Sequence, residues 1–211
     1  MSADAGGLVR DAAGLRRCWW CGGDAEYTAY HDREWGRPTG DDRRLFEKIC
    51  LEGFQAGLSW LTILKKRKNF RRAFLNFDFE QVSRFTDRDV ERLLQDASIV
   101  RHRGKIASVV NNARRARELK AEAGSLAAFF WGFEPDPASR PREIDIDTLK
   151  GLGQTAESTA LGKALKRRGW SFVGPTTVYA FMQAMGLVND HLAGCAVRAE
   201  VEAEREAFIR P

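Results

Sequence analysis

The chain has 211 residues, of which 44% are hydrophobic and 30% charged, and its formal net charge is +5. This length fits one or two domains with a substantial core, and the composition excludes a disordered or fibrous chain. Residues 1–17 lack the apolar segment of a signal peptide, and no run approaches the ~20 apolar residues of a membrane span. We therefore expect a cytoplasmic protein without membrane contacts, whose four cysteines serve metal binding or burial rather than disulfides.

The elements in chain order are mainly helical. Residues 1–15 are rich in Ala, Gly and Asp and predict a flexible tail. From Asp41 onward apolar residues recur at helical spacing, Ser59 is placed as an N-cap, and Thr86 with Asp89 resembles a capping box. Alternating β patterns are almost absent. The sequence predicts an all-α protein with a helical domain over residues 16–197, a proline-rich loop at 132–147 and a charged, partly helical C-terminal tail at 198–211.

Residues 161–186 predict two helices joined by a tight turn. Gly169 fits the position just after the first helix, and Pro175 fits the first position of the second. The backbone N–H groups of Val173 and Gly174, next to a fresh helix N-terminus, would attract an anion such as a DNA phosphate. Such a contact does not depend on the base sequence. An ordinary turn between two helices in a protein core has the same spacing of glycine and proline, so this alternative stays open.

Positive charge is clustered rather than uniform. Stretches rich in Lys and Arg occur at positions 65–68, 71–72, 101–103, 114–115 and 166–168. Clusters of this kind favour a polyanionic partner, although solvated helix faces produce the same pattern. The charge distribution is thus a weak indication of nucleic-acid binding.

Two Cys/His pairs at opposite ends of the chain are typical of a metal site. Cys18 and His31 supply one half, and His191 and Cys195 supply the other. Two cysteines and two histidines suit tetrahedral zinc, and four protein ligands leave no open position, so the site would be structural. Cys21 also has a metal-like spacing from Cys18 and remains an alternative ligand.

Several segments together resemble a known family. The turn at 169–176 is similar to the helix-hairpin-helix of the DNA glycosylase superfamily. Closer similarity, from about residue 17 to residue 195, is to the DNA-3-methyladenine glycosylase I family. It rests on the hairpin with its His191-x3-Cys195 pair and on three further segments, which read YHDREWG at 30–36, CLEGFQAGLSW at 50–60 and DASIVRHRGKI at 96–106.

The resemblance implies a fold, a reaction and a partner. The fold would be an all-α helix-hairpin-helix glycosylase fold in which a structural zinc ion on Cys18, His31, His191 and Cys195 joins the two ends, with Cys21 a bystander. The reaction would be hydrolytic excision of 3-methyladenine from alkylated double-stranded DNA by a monomer, which initiates base excision repair. A flipped cationic base would lie between aromatic faces. The implied catalytic residue is Glu52, whose carboxylate would bind the base and could also activate water. The implied substrate-binding residues are Tyr27, Tyr30, Trp35, Gln55 and Trp60.

The same resemblance implies the DNA contacts. Gly57 and Leu58 would form a wedge in the gap that the flipped base leaves, while Val173, Gly174 and Thr176 would contact phosphate. Thr176 and Thr177 stand where bifunctional relatives have a lysine, so no strand cleavage is expected. The catalytic aspartate of the superfamily is replaced by Asn189, and Asp190 is displaced by one residue. This departure is chemically tolerable because an N3-methylated adenine is cationic and leaves as a neutral base.

Other functions remain compatible with parts of the sequence. A non-catalytic DNA-binding helix-hairpin-helix module would need the hairpin but no base pocket. A zinc-dependent hydrolase would need an open metal position. A related glycosylase could accept a broader range of lesions. For Tyr27 and Trp35, a place in the hydrophobic core is as well supported as a place in the pocket.

Overall fold

The computed structural model describes residues 4, 6–141 and 143–211, and these residues are mainly helical, as predicted. No helix in these ranges combines the length and the apolar character needed to cross a membrane. The helices are α1 (Ala25–Arg33), α2 (Asp42–Gln55), α3 (Trp60–Ala73), α4 (Phe79–Val82), α5 (Asp87–Leu94), α6 (Arg103–Ala123), α7 (Leu126–Trp131), α8 (Ile146–Gly151), α9 (Ala156–Arg167), α10 (Pro175–Ala184) and α11 (Arg198–Ala207).

Helix α2 lies at the centre of the fold. It packs against α3, α6, α7 and α10. Asp41 caps its N-terminus by accepting hydrogen bonds from the backbone N–H groups of Arg43 and Arg44, both at 2.9 Å. Because neighbours surround it, every residue from 45 to 54 is buried, including the charged ones. A charge on this helix therefore needs a partner within the protein.

The predicted helix ends are confirmed. The Ser59 hydroxyl accepts from the backbone N–H of Thr62 at the start of α3, and Thr86 and Asp89 form a capping box at the start of α5. Gly169 has φ +77°, the left-handed conformation expected just beyond α9, and Pro175 is the first residue of α10. These local signals suffice because each satisfies backbone groups within one turn.

The turn between α9 and α10 is held tightly. A Cβ at Gly162 of α9 would lie 3.0 Å from the carbonyl oxygen of Val173, so glycine permits the close approach of the two segments. The side chain of Asn112 on α6 accepts from the backbone N–H of Ser171 and donates to its carbonyl oxygen, both at 3.0 Å. The turn is thus fixed to the core on one side and leaves Gly174 at the start of α10.

The prediction of a flexible tail over residues 1–15 was wrong for residues 8–10, which form a strand. Strand β1 (Leu8–Arg10) pairs antiparallel with β2 (Arg16–Cys18), with Leu8 opposite Cys18. Leu8 packs with Ile144, Leu192 and Cys195. A three-residue strand is too short to show alternation, and tertiary packing stabilises it. Residues 1–3 and 5 lie outside the described residues.

The charged segment at the C-terminus is largely the packed helix α11. Val201 is fully buried, and Arg37 pairs with Glu200 at 3.0 Å and with Glu204. The predicted loop at 132–147 contains a short 3-10 turn at Pro137–Ser139 and the first residues of α8. Position 142 of that loop lies outside the described residues.

Candidate active site and metal centre

A cavity of about 300 Å³ lies between α1, α2, α3, α8 and α10. The structure brings all six residues of the expected base pocket to its wall: Tyr27, Tyr30, Trp35, Glu52, Gln55 and Trp60. Their side chains come from segments up to thirty-three residues apart, so the cavity is a product of the tertiary fold. Its size and mixed apolar and polar lining suit one flat organic group.

Aromatic rings form much of the cavity wall. The rings of Tyr30 and Trp60 are 5.4 Å apart and inclined at 43°, and Trp20 lies 5.0 Å from Trp35 and 5.1 Å from Tyr27. Rings at these spacings pack against one another, and their faces on the cavity side can hold a cationic or electron-poor ring. Trp20 was not identified from the sequence.

Glu52 is the carboxylate on the cavity wall, and it is 5% exposed. It lies on the buried central helix, which explains why a charged side chain reaches an aromatic pocket. Burial and the nearby Glu52 carboxylate raise the pKa of Tyr30 well above its usual value. The phenol of Tyr30 therefore stays protonated at neutral pH.

The opposite wall belongs to α10. Thr176, Tyr179, Ala180 and Gln183 lie on one face of this helix and line the cavity. We expected Thr176 to contact DNA, whereas Tyr179 and Gln183 were missed. The spacing of three, four and seven residues along α10 was the available signal.

Asn189 and Asp190 face different surroundings. Asn189 Nδ2 donates to the carbonyl oxygen of Arg198 at 3.1 Å and to Glu202 at 2.7 Å. Asp190 is fully buried behind the α10 wall, where it accepts from the Tyr179 hydroxyl at 2.6 Å and from Gln183 at 2.8 Å. Neither residue lines the cavity, so the carboxylate available there is Glu52.

The segments expected to meet DNA lie beside this cavity. Gly57 has φ +79° and open space around it, and Leu58 is 41% exposed. The Val173 side chain is buried, so only its backbone is available to a phosphate. Gly174 caps α10 with φ −67° and has nothing within 4 Å of a Cβ position.

The four expected metal ligands form one buried cluster. Cys18 ends β2, His31 lies on α1, and His191 and Cys195 follow α10. Their ligand atoms lie within 4.8 Å of one another. His191 Nδ1 is 3.2 Å from His31 Nε2 and 3.6 Å from Cys195 Sγ, and Cys195 Sγ is 3.5 Å from His31 Nε2. Ordinary bond lengths of tetrahedral zinc correspond to ligand separations of about 3.3–3.8 Å, close to these three distances.

Groups around the cluster orient both imidazoles. His31 Nδ1 bonds to Asp32 Oδ1 at 2.7 Å, and His191 Nε2 bonds to the carbonyl oxygen of Trp35 at 3.0 Å. Each histidine thus turns its other nitrogen to the centre of the cluster, the arrangement common for metal ligands. The residues present fit a metal ion.

Cys21 lies outside this cluster. Its Sγ donates to the carbonyl oxygen of Cys18 at 3.1 Å, and its side chain is fully buried. Cys50 is buried in the hydrophobic core. Within the described residues the clustered donor set therefore consists of two cysteines and two histidines.

Comparison with known proteins connects this geometry to a family. Residues 20–199 match the model of the methyladenine glycosylase family. The DNA-3-methyladenine glycosylase 1 of Escherichia coli K12 is 50% identical over 182 residues, which is 86% of this chain and 96% of the relative. A crystal structure of a 3-methyladenine DNA glycosylase I, 50% identical, superposes with a TM-score of 0.79 over 85% of this chain and 98% of that one.

A second solved structure is that of the 3-methyladenine DNA glycosylase I of Staphylococcus aureus, described as showing the basis of 3-methyladenine recognition. It is 36% identical, and the match has a TM-score of 0.77 and covers 83% of this chain and 92% of that one. The family match includes every residue of the cavity wall and, of the Cys/His cluster, His31, His191 and Cys195. The chain belongs to the methyladenine glycosylase family.

Proposed function

We propose that this protein is a monofunctional DNA glycosylase that flips 3-methyladenine out of alkylated double-stranded DNA and hydrolyses its N-glycosidic bond. The observation that carries this proposal is the cavity of about 300 Å³ that aromatic rings and the single carboxylate of Glu52 line in a member of this family. Hydrolysis leaves an abasic site, from which base excision repair continues.

The pocket selects the base by its charge and shape. Methylation at N3 makes the adenine ring cationic, and the rings of Tyr30 and Trp60 offer it two inclined aromatic faces. Reaching this cavity requires extrusion of the nucleotide, since the glycosidic bond of a stacked base is not accessible. A neutral, paired adenine would gain less from these faces and would cost more to extrude.

Glu52 supplies the negative charge. Its carboxylate would accept hydrogen bonds from the edge of the base and stabilise the positive charge of the bound lesion. The protonated phenol of Tyr30, whose oxygen accepts a hydrogen bond from a lysine behind the pocket, keeps its own proton for an acceptor atom of the base. Both groups are buried, so water screens these interactions weakly.

Little further acid–base assistance is required. The methylated base departs as a neutral molecule, so the leaving group needs no added proton. The amide of Asn189 can therefore replace the usual aspartate, and its hydrogen bonds to α11 give it a structural role instead. The positions that hold a reactive lysine in strand-cleaving relatives carry Thr176 and Thr177.

DNA would meet the surface beside the cavity. Leu58 is an exposed apolar side chain next to a glycine in the left-handed conformation, a suitable wedge for the gap left by the flipped base. The N-terminus of α10 at Gly174 would bind a backbone phosphate. Neither contact reads base sequence, as expected for an enzyme that searches for a lesion.

We assign one structural zinc ion to Cys18, His31, His191 and Cys195. The ligand separations and the orientation of both imidazoles support this assignment. Four protein ligands fill the coordination shell, so the ion would fasten β2 and α1 to the segment after α10 and take no part in hydrolysis.

The test is chromatography of free bases that the purified protein releases from methylated duplex DNA. We expect release of 3-methyladenine with little 7-methylguanine. A folded protein that binds this DNA and releases neither base would contradict the proposal and favour a non-catalytic binding module.

A further inference from the structure

Lys48 is a buried cation placed directly behind the base pocket. It lies on α2 one turn before Glu52 and is 5% exposed. Its side chain does not line the cavity of about 300 Å³; it lines a smaller cavity of about 30 Å³ on the other side of Tyr30 and Trp60. A fully buried lysine is rare unless its charge is used, because desolvation of an ammonium group is costly.

Its ammonium group contacts three walls of the pocket at once. Nζ lies 2.8 Å from Oε1 of Glu52, donates to the Tyr30 hydroxyl at 2.6 Å, and lies 3.3 Å above the ring centroid of Trp60. These are the carboxylate and the two aromatic faces that we assign to the cationic base. In the free protein, therefore, the ammonium group of Lys48 already interacts with the groups that are to bind the cationic base.

The other charged groups around Lys48 are largely paired among themselves. Glu34 pairs with Arg67 at 2.5 Å, and Glu47 pairs with Arg71 at 2.8 Å. Glu52 is thus the counterion of Lys48. Seven titratable or charged groups face Lys48 from α1, α2, α3 and the residues that flank these helices. They are Tyr30, Glu34, Arg44, Glu47, Glu52, Arg67 and Arg71.

The charge of Lys48 changes close to physiological pH. Burial disfavours the ammonium form and lowers the pKa of Lys48 to about 8, although the Glu52 carboxylate opposes this effect. Below that pH the Lys48–Glu52 pair carries no net charge. Above it, Lys48 is neutral and the negative charge of Glu52 is uncompensated.

We propose that Lys48 is a specificity-determining positioning residue. Its ammonium group neutralises Glu52 and competes with the cationic base. When Lys48 loses its proton, the negative charge of Glu52 is free to bind that base. This inference rests on the proposed glycosylase function and concerns the same pocket. Like charges disfavour each other most strongly where water is excluded. Binding of the cationic base and retention of the Lys48 proton therefore oppose each other, and the proton passes to solvent.

The experiment follows excision from a duplex with a single 3-methyl-2′-deoxyadenosine, at sub-saturating enzyme, from about pH 6.5 to about pH 9. The substrate charge is fixed by the methyl group, so it does not titrate. For the wild-type protein we expect excision efficiency to rise by up to about tenfold per pH unit and to level off above the pKa of Lys48. Lys48→Met should show the high plateau at all these pH values. Lys48→Arg, which stays charged, should remain at the low level.

Binding to a duplex with an uncharged abasic-site analogue is the control, since no base enters the pocket. All three proteins should bind it alike.

A flat wild-type profile would overturn the inference while leaving the glycosylase function intact, and so would a Lys48→Met profile that still rises with pH. Uniformly low activity of folded Lys48→Met would do the same, because it would mean that Lys48 only holds Glu52 in place. If Lys48→Met fails to fold, the wild-type and Lys48→Arg proteins test the inference: excision should rise with pH for the wild-type protein and stay low for Lys48→Arg. No release by the wild-type protein at any pH would contradict the glycosylase function itself.

Discussion

Tyr30 and His31 are adjacent on α1, yet the Tyr30 phenol lines the base pocket while the His31 imidazole lies in the Cys/His cluster. Successive residues on a helix point about 100° apart, so one helical turn supplies a wall to each site. Trp35 connects them again, since its ring lines the pocket and its carbonyl oxygen accepts from His191. Order in the cluster therefore determines the geometry of the pocket.

Removal of one cluster ligand should affect both sites. Cys195→Ser should lower the zinc content from one ion per chain to nearly none and lower the melting temperature, because structural zinc binding contributes on the order of 10 kcal/mol in apparent terms. Excision should fall with it, since Tyr30 and Trp35 lose their fixed positions. Metal analysis, thermal denaturation and a base-release assay check the three effects.

Cys21→Ser is the matched control for this experiment. Cys21 is buried three residues from Cys18, and a serine hydroxyl can keep its hydrogen bond to the carbonyl oxygen of Cys18. This variant should retain its zinc. Full zinc in Cys195→Ser, or equal loss in both variants, would reject the ligand assignment.

Leu58 and Leu75 test the proposed wedge. They are 41% and 42% exposed and flank opposite ends of α3, about 20 Å apart by the rise of a 14-residue helix. Leu58→Ala should lower excision from duplex DNA about tenfold, because an apolar wedge contributes roughly 1–2 kcal/mol to the extruded state. Single-turnover rates on duplex and single-stranded substrates measure this.

The loss of excision by Leu58→Ala should be confined to duplex DNA, where the flipped base leaves a gap in the base stack that must be filled. Leu75→Ala should match the wild-type protein on both substrates. Equal rates for Leu58→Ala and the wild-type protein on duplex DNA would remove Leu58 from the DNA interface.

The sequence predicted features that depend on neighbouring residues and missed those that depend on distant ones. The caps at Ser59 and Thr86 follow from local hydrogen bonds, whereas strand β1 depends on packing against residues more than 130 positions away. Lys48 and Glu52 have the spacing of a surface ion pair on a helix. Only the packing of α2 on all sides shows that this pair is buried.

Gly174 gives a separate test of the phosphate contact. Its φ of −67° and the open space around it allow an alanine without strain, so the fold does not require glycine there. Gly174→Ala should weaken DNA binding about fivefold, equivalent to about 1 kcal/mol for one impaired hydrogen bond, because the methyl group would hinder approach of a phosphate.

Gly151→Ala is the control for this change, since a Cβ at Gly151 also meets open space. Fluorescence anisotropy with labelled duplex DNA would compare the two. Unchanged affinity of Gly174→Ala would place the phosphate elsewhere. The melting temperature should not fall in either variant, since alanine at an unstrained position restricts the unfolded chain more than glycine does.

Glu52 and Glu47 allow the most direct test of the account. Both are buried on α2 and paired with a cation, but only Glu52 lines the base pocket. The measurement is the single-turnover rate of 3-methyladenine release from a defined duplex by the wild-type protein, Glu52→Gln and Glu47→Gln. The proposed role of Glu52 predicts a loss of about 10²-fold for Glu52→Gln and a change below about twofold for Glu47→Gln. A folded Glu52→Gln that releases the base at the wild-type rate would contradict it.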